Sequence, residues 1–234
     1  NLEEASFIEG IETLGADNLS QIVEYLNGNC ELKKLKQNIH DFISKEQNFA
    51  IDFAHVKGQS AAKRALEIAA AGAHNVLMSG SPGSGKTMLS KAFMSILPPL
   101  TPKEAIELTK IYSISGLLDR KKPLITNRPF RSPHHSASAV GIIGGGSNPK
   151  PGEITLAHRG VLFLDEIPRT TLEVLRQPIE DNVVTISRAQ TSVQYPANFI
   201  LIGAMNPCPC GFLGDSKKNC TCSEAMINRY KSRL

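Results

Sequence analysis

Three short apolar runs punctuate the chain: Val76-Leu77-Met78, Val161-Leu162-Phe163-Leu164 and Phe199-Ile200-Leu201-Ile202-Gly203-Ala204. Runs of this length without polar alternation predict buried strands of a parallel sheet covered on both faces. Helical patterns lie between them. Residues 61–71 are rich in Ala and carry Leu66, Glu67 and Ile68, a strong helix former. Residues 88–97 predict a second helix, stopped by Pro98 and Pro99. In the front segment, expected helices over 19–26 and 32–43 are separated by Gly10, Gly15 and Gly28, and 45–53 reads as a linker.

Two stretches interrupt this alternation. Seventy-eight residues separate Lys86 from Asp165, more than a strand and its crossover helix need, so something is inserted. Residues 141–152 are rich in Gly and Pro with Ile142 and Ile143 at their head, which suits a hairpin or flexible loop better than a helix. An ordinary surface loop is the competing reading. Further on, 183–187 and 191–195 read as two β-branched strands around a turn that contains Arg188. At that tip, Arg188 could meet nucleic-acid phosphate or a neighbouring subunit, or simply be solvated.

The chemistry lies at the ends of the apolar runs. After the first, Gly80-Ser81-Pro82-Gly83-Ser84-Gly85-Lys86-Thr87 reads G-x-x-x-x-G-K-T, a phosphate-binding loop. A glycine-rich turn can aim several backbone N–H groups into one concavity, and the following helix offers its positive end to the same anion. Lys86 would reach the β- and γ-phosphates of ATP and Thr87 would ligate Mg²⁺. After the second run come Asp165, placed to hold Mg²⁺ through its water shell, and Glu166, placed to orient or deprotonate the attacking water. The third run delivers Asn206, whose amide can hydrogen-bond the γ-phosphate and the lytic water without adding charge. Alone, each has a blander alternative: a chance motif, two solvated acids at a strand end, a turn residue before Pro207. Together they make Lys86, Glu166 and Asn206 the expected catalytic residues, and 80–87 with Asp165 the expected nucleotide site.

Composition adds a direction. Residues 1–58 hold five Lys against ten acidic residues, net −5, whereas 59–234 hold twenty-one Lys plus Arg against twelve acids, net +9. A basic nucleotide-binding core is compatible with a nucleic-acid partner, although a solvated surface gives the same balance. No run approaches the eighteen or more apolar residues of a membrane helix and no signal-peptide pattern opens the chain, so a cytoplasmic protein without a membrane partner is expected. The chain begins with Asn1 rather than Met and is expected to be an excised piece.

Cysteine and histidine raise the question of metal. Cys208-x-Cys210, nine residues, then Cys220-x-Cys222 form a cluster in which four thiolates could close a structural Zn²⁺ site; free or oxidised thiols are the alternative, since C-x-C is less common than C-x₂-C. Cys30 is isolated and reads as a small buried hydrophobe. His134, His135 and His158 have no acidic or Cys partner at ligand spacing and read as hydrogen-bonding imidazoles.

Several longer motifs carry a family resemblance. Arg128-Pro129-Phe130-Arg131-Ser132-Pro133-His134-His135, Gly144-Gly145-Gly146, Pro151-Gly152-Glu153-Ile154, Leu156-Ala157-His158, Val174-Leu175-Arg176-Gln177-Pro178 and Met205-Asn206-Pro207-Cys208-Pro209-Cys210-Gly211 resemble the magnesium-chelatase-like AAA+ proteins of the ComM/YifB type. The resemblance covers essentially the whole chain. It implies an α/β P-loop NTPase (AAA+) core of the helix-2-insert type, with a parallel sheet sandwiched by helices. It also implies Mg-dependent ATP hydrolysis, hexameric rings and, for ComM-type members, a DNA motor such as branch migration. By the same resemblance, 141–152 falls where the pore-lining insert lies, 183–195 is a pre-sensor hairpin, and Val56-Lys57-Gly58 lies near the adenine. Residues 1–48 correspond to the end of a preceding Lon-like domain plus linker, and 49–234 to the AAA+ core, with the arginine finger and lid lying beyond it. The fragment is therefore expected to hydrolyse ATP weakly, because an arginine supplied in trans contributes several orders of magnitude in rate. Two other functions compete with the DNA motor: the ATPase subunit of a metal-chelatase-type complex that remodels a partner protein, and a nucleotide-gated scaffold with little hydrolysis. Glu166 argues against the scaffold.

Overall fold

The computed structural model describes residues 2–43, 49–119, 122–134, 136–146, 149–165, 169–188, 191–215 and 217–232. Contacts divide the chain into two units, Asn1–Glu46 with Leu100–Asn127, and Gln47–Pro99 with Arg128–Leu234. The principal elements of the second unit are α1 (Ser60–Gly72), β1 (Val76–Ser79), α2 (Lys86–Ala92), β2 (Phe130–Arg131), α3 (Ala139–Ile143), α4 (Glu153–Leu156), β3 (Val161–Asp165), α5 (Arg169–Asp181), β4 (Val183–Arg188), β5 (Thr191–Pro196), β6 (Ile200–Met205) and α6 (Glu224–Lys231). Among the described residues, four of these strands make one parallel sheet in the order β1-β6-β3-β2.

Period-two geometry explains why the apolar runs are unbroken. Val161, Phe163, Ile200, Ile202 and Ala204 pack with Leu66, Leu89 and Phe93 on one face of the sheet. Leu162, Leu164 and Leu201 pack with Ile154, Leu175 and Val184 on the other. Successive side chains of a strand point to opposite faces, so a sheet covered twice requires apolar residues at every position. β1 departs from the expectation of a fully buried strand. It lies at the edge of the described sheet, and Leu77 is 63% exposed. An apolar run marks a strand, but its place in the sheet decides whether both sides are covered.

The helices are as the sequence predicts, with local adjustments. α1 closes at Ala73, which takes the left-handed conformation (φ 51°) and donates its N–H to Ala69 O. The chain then turns into β1, where the Asn75 side chain accepts the Leu201 N–H at 2.8 Å and ties β1 to β6. α2 tightens into a 3₁₀ turn, Phe93–Ile96, before Pro98.

Both excursions between sheet strands exist, and one differs from expectation. Gly141, Ile142 and Ile143 are helical, in α3, rather than part of a loop or hairpin. Ser138 starts that helix by accepting the Gly141 N–H at 3.1 Å, and burial of Ile142 in the second core holds it. Only then does the chain form a two-rung antiparallel ladder, Gly144–Gly145 with Lys150–Pro151. β4 and β5 make the expected antiparallel hairpin, from Val183 opposite Pro196 to Arg188 opposite Thr191. Ala189 and Gln190 lie outside the described residues. The Tyr195 hydroxyl donates to Pro149 O at 2.9 Å, which joins hairpin and ladder.

The first unit has its own core of Phe7, Ile39, Leu100, Ala105, Leu108 and Leu124. The helix Pro102–Ile114 is started by a capping box between Thr101 and Glu104 and gives Ala105 and Leu108 to that core. Residues 100–127 therefore cluster with the front segment, whereas the sequence predicts one continuous 49–234 core. Leu19–Leu26 is helical as expected, capped by Asn18. The expected helix over 32–43 is shorter, because Lys33–Lys34 pair with Leu14–Gly15 and helix resumes only at Ile39–Ile43. No helix among the described residues is long and apolar enough to cross a membrane.

Candidate nucleotide site

Strand register decides which polar residues meet. Ser79 pairs with Met205, and Ala204 pairs on its other side with Asp165. The loop that starts at Gly80, the end of β3 and the residue after β6 therefore emerge at one edge of the sheet. A Gly80 N–H bond to Met205 O, at 3.3 Å, extends the pairing into the loop itself.

The loop's glycines have specific duties. Gly83 and Gly85 adopt φ of 78° and 91°, which L side chains rarely take, so the chain can curl back over its own start. Gly85 is also the N-cap of α2 and makes no side-chain cap bond. The first N–H groups of that helix therefore face outward without a side-chain acceptor from the cap, an arrangement suited to an anion. Lys86 Nζ crosses the loop, donating to Gly80 O at 2.7 Å, Ser81 O at 3.1 Å and Asn206 Oδ1 at 3.4 Å. Lys86 and Asn206, 120 residues apart in sequence, are thus brought into hydrogen-bond contact. A cavity of about 710 Å³ borders the loop, with Gln59, Ala62 and Leu66 on one wall and Gly80, Ser81 and Lys86 on another. Gln59 Nε2 reaches Ser84 O at 3.4 Å across its rim. Val56, expected by resemblance near the adenine, is buried in the first core.

The remaining site residues are placed less completely. Asp165 is exposed at the end of β3, and Thr87 is exposed on the first turn of α2. Glu166 and His135 lie outside the described residues. His158 is buried, its Nδ1 accepting the Asn198 N–H at 3.1 Å, so it is a hydrogen-bonding imidazole of the interior. His134 Nδ1 lies 2.7 Å from the Ser136 hydroxyl.

Sequence reasoning missed what the segment after Asn206 does. Leu213, Gly214 and Asp215 line the same cavity as Gly80 and Lys86. The Asp215 carboxyl is held below its ordinary value by the Lys217 N–H, then by the Ser81 hydroxyl and the Lys218 N–H. Cys208, Cys210, Cys220 and Cys222 come together, their sulfur atoms all within 4.8 Å of one another. Backbone N–H groups of Phe212 and Thr221 pull the Cys210 thiol down to about 5. At Cys220 the Cys222 N–H acts in the same direction, but burial and the neighbouring sulfur atoms outweigh it and push the thiol up to about 12. Two arginines from the resemblance motifs also find structural work. Arg131 forms a two-bond pair with Glu153 at 2.6 and 2.7 Å, and Arg128 donates to Pro98 O at 2.7 Å and Arg159 O at 2.6 Å.

A parallel sheet flanked by helices, with a glycine-rich loop between β1 and α2 and polar residues at adjacent strand tips, defines a P-loop NTPase core of the AAA+ class. The chain belongs to the magnesium chelatase family: residues 52–234 match the family described as magnesium chelatase, subunit ChlI. It is 44% identical over 237 residues to the uncharacterized protein YifB of Escherichia coli (strain K12), covering 100% of this chain and 46% of that protein. Competence protein ComM of Haemophilus influenzae is 43% identical over 244 residues, again covering 100% and 46%. The chain thus spans about half the length of the curated relatives it matches. Among solved structures, the complex between subunits BchI and BchD of magnesium chelatase shares the fold, with a TM-score of 0.54 at 21% identity over 78% of this chain and 60% of that one.

Proposed function

We propose that this chain binds ATP with Mg²⁺ and hydrolyses it as one module of a hexameric, ring-forming motor acting on DNA. The observation that carries the ATPase reading is the convergence of Lys86 and Asn206 at the mouth of the glycine loop. The Lys86 ammonium, bonded to loop carbonyls, is positioned to exchange them for the oxygens of the β- and γ-phosphates and to offset charge that develops in transfer. The Asn206 amide orients the γ-phosphate and the attacking water. Thr87 and Asp165 are the residues that would hold Mg²⁺, which supplies counter-charge across the phosphates when bound. Two hard oxygen donors, a hydroxyl and a carboxylate, suit that ion. Glu166 is assigned the base by its place after Asp165 in the sequence.

Asn206→Ala is expected to lower turnover by about 10²-fold, with ATP affinity changed far less, because the amide acts on the reacting groups rather than on the whole nucleotide. Phosphate release and fluorescent-nucleotide titration, measured side by side, separate the two. An affinity loss with undiminished turnover would remove Asn206 from the chemistry.

The DNA part rests on the net charge of +9 over 59–234 and on the ComM/YifB-type resemblance. A second reading, a ring that remodels a partner enzyme, is favoured by 28% identity over 194 residues to the magnesium-chelatase 67 kDa subunit of Heliobacterium mobile. ATP hydrolysis by the whole protein, with and without branched DNA and beside a Glu166→Gln control, decides between them. Stimulation by DNA supports the motor, and indifference to DNA with dependence on a protein partner supports the alternative.

A further inference from the structure

The four-cysteine cluster has the dimensions of a metal site. Cys208 Sγ lies 3.3 Å from Cys210 Sγ and 3.7 Å from Cys220 Sγ, and Cys210 Sγ lies 3.6 Å from Cys220 Sγ. A tetrahedral site with Zn–S bonds of about 2.3 Å has S–S edges of about 3.8 Å. Disulfides, at about 2.05 Å, are a different arrangement, and all four cysteines are free. Core packing does not account for the cluster either, because only Cys208 is buried and the other three are half-exposed. Backbone donors surround the sulfurs: Cys210 N–H points to Cys222 Sγ and Cys222 N–H to Cys220 Sγ, both at 3.4 Å. Such outer hydrogen bonds orient ligands and satisfy thiolate charge. A soft, four-sulfur tetrahedron selects Zn²⁺ over the hard cations.

The segment between the two cysteine pairs touches the phosphate loop. Gly211, with φ 84°, runs so close to Pro82 that a side-chain Cβ there would sit 2.6 Å from the proline Cδ. Asp215 accepts the Lys217 N–H at 2.8 Å and the Lys218 N–H at 3.0 Å, and the Ser81 hydroxyl of the loop helps to hold its carboxyl below the ordinary value. The segment thus starts and ends at the sulfur cluster, Gly211 lies against Pro82, and Asp215 lines the same cavity as Ser81. Asn206 stands two residues ahead of the first ligand.

We propose that Cys208, Cys210, Cys220 and Cys222 bind one Zn²⁺, and that this ion holds Pro207, Leu213, Gly214 and Asp215 in place along the nucleotide cavity, so that metal occupancy sets nucleotide affinity. The second half rests on the ATP-binding reading above; the first does not. Two sites sharing one rigid segment are coupled reciprocally, with factors of about 5- to 150-fold. Stripping zinc should weaken nucleotide binding by a factor in that range, and bound nucleotide should slow zinc loss to a chelator by a similar factor.

The test uses the chain purified under reducing conditions from zinc-supplemented cells. Elemental analysis should find one zinc per chain, greatly reduced in Cys220→Ser and unchanged in Cys30→Ser. Should Cys220→Ser fail to fold, Co²⁺ titration of the stripped wild-type chain replaces it: d–d and thiolate charge-transfer bands of a tetrahedral four-sulfur site are expected. Fluorescent-ATP titrations of zinc-loaded, stripped and reloaded chain then measure the coupling. Zinc-free chain that yields no such bands with Co²⁺, or an iron–sulfur chromophore in their place, overturns the metal site. Equal nucleotide affinity with and without zinc overturns the coupling alone. Zinc-loaded chain that binds no nucleotide overturns the ATP reading and the coupling, while the metal result stands.

Discussion

Lys86→Ala is expected to lower ATP turnover by about 10²- to 10³-fold while leaving the unfolding midpoint essentially unchanged. Three contacts decide this outcome. The ammonium donates to Gly80 O, Ser81 O and Asn206 Oδ1, and all three residues are half-buried rather than sealed in the core. Water can replace a lost donor there, so truncation leaves no buried acceptor stranded. The charge, however, has no substitute at that point in the loop. Lys86→Arg is expected not to restore turnover, since a planar guanidinium is not interchangeable with a compact ammonium that bonds three acceptors in a tight glycine turn. Phosphate release and thermal melts of the three proteins check both halves. Turnover that survives in Lys86→Ala would remove the phosphate-binding assignment of the loop.

Phe163→Ala should have the largest effect on folding, about 3–5 kcal/mol, read as a shift in urea midpoint. Phe163 is 1% exposed, stacks on Phe130 with ring centroids 6.0 Å apart and pairs in register with Ile202 at the centre of the sheet. Against a typical total stability of about 5–15 kcal/mol, that loss leaves a large unfolded fraction. The consequence reaches the site, because β3 carries Asp165 and β6 carries Asn206. Nucleotide affinity should therefore fall in parallel with the folded fraction and recover when folding is restored, for example by a stabilising osmolyte. A midpoint shift equivalent to less than about 1 kcal/mol would mean that the cavity collapses or that this face of the sheet is not the central core.

Legibility in the sequence followed the range of the interactions involved. The loop 80–87 could be read because its geometry is local: glycines at fixed offsets and a lysine at the first position of a helix. β3 and β6 could be read because burial on both faces writes itself as an unbroken apolar run. β1 was legible as a strand, but its exposed Leu77 was not, since edge position depends on which strands come to lie beside it. The helical conformation of Gly141, Ile142 and Ile143 was hidden by glycine-rich composition, and the burial of Ile142 against distant residues overrode that propensity. Residues 100–127 read as part of the nucleotide-binding core, but the apolar stripe of Pro102–Ile114 is satisfied by Phe7 and Ile39 instead.

The sequence by itself determined the chemistry available: a glycine-rich loop with its lysine, an acidic pair, an amide and four thiols, each announced by residue type and spacing over a short stretch of chain. Tertiary structure decided their partnerships. Parallel register brought Asn206 to Lys86, and a turn at Gly211 carried the cysteine segment back against Pro82. Short motifs are fixed by local backbone geometry, whereas contacts between segments far apart in the chain exist only once the sheet's strand order and register have been set by the packing of its two faces.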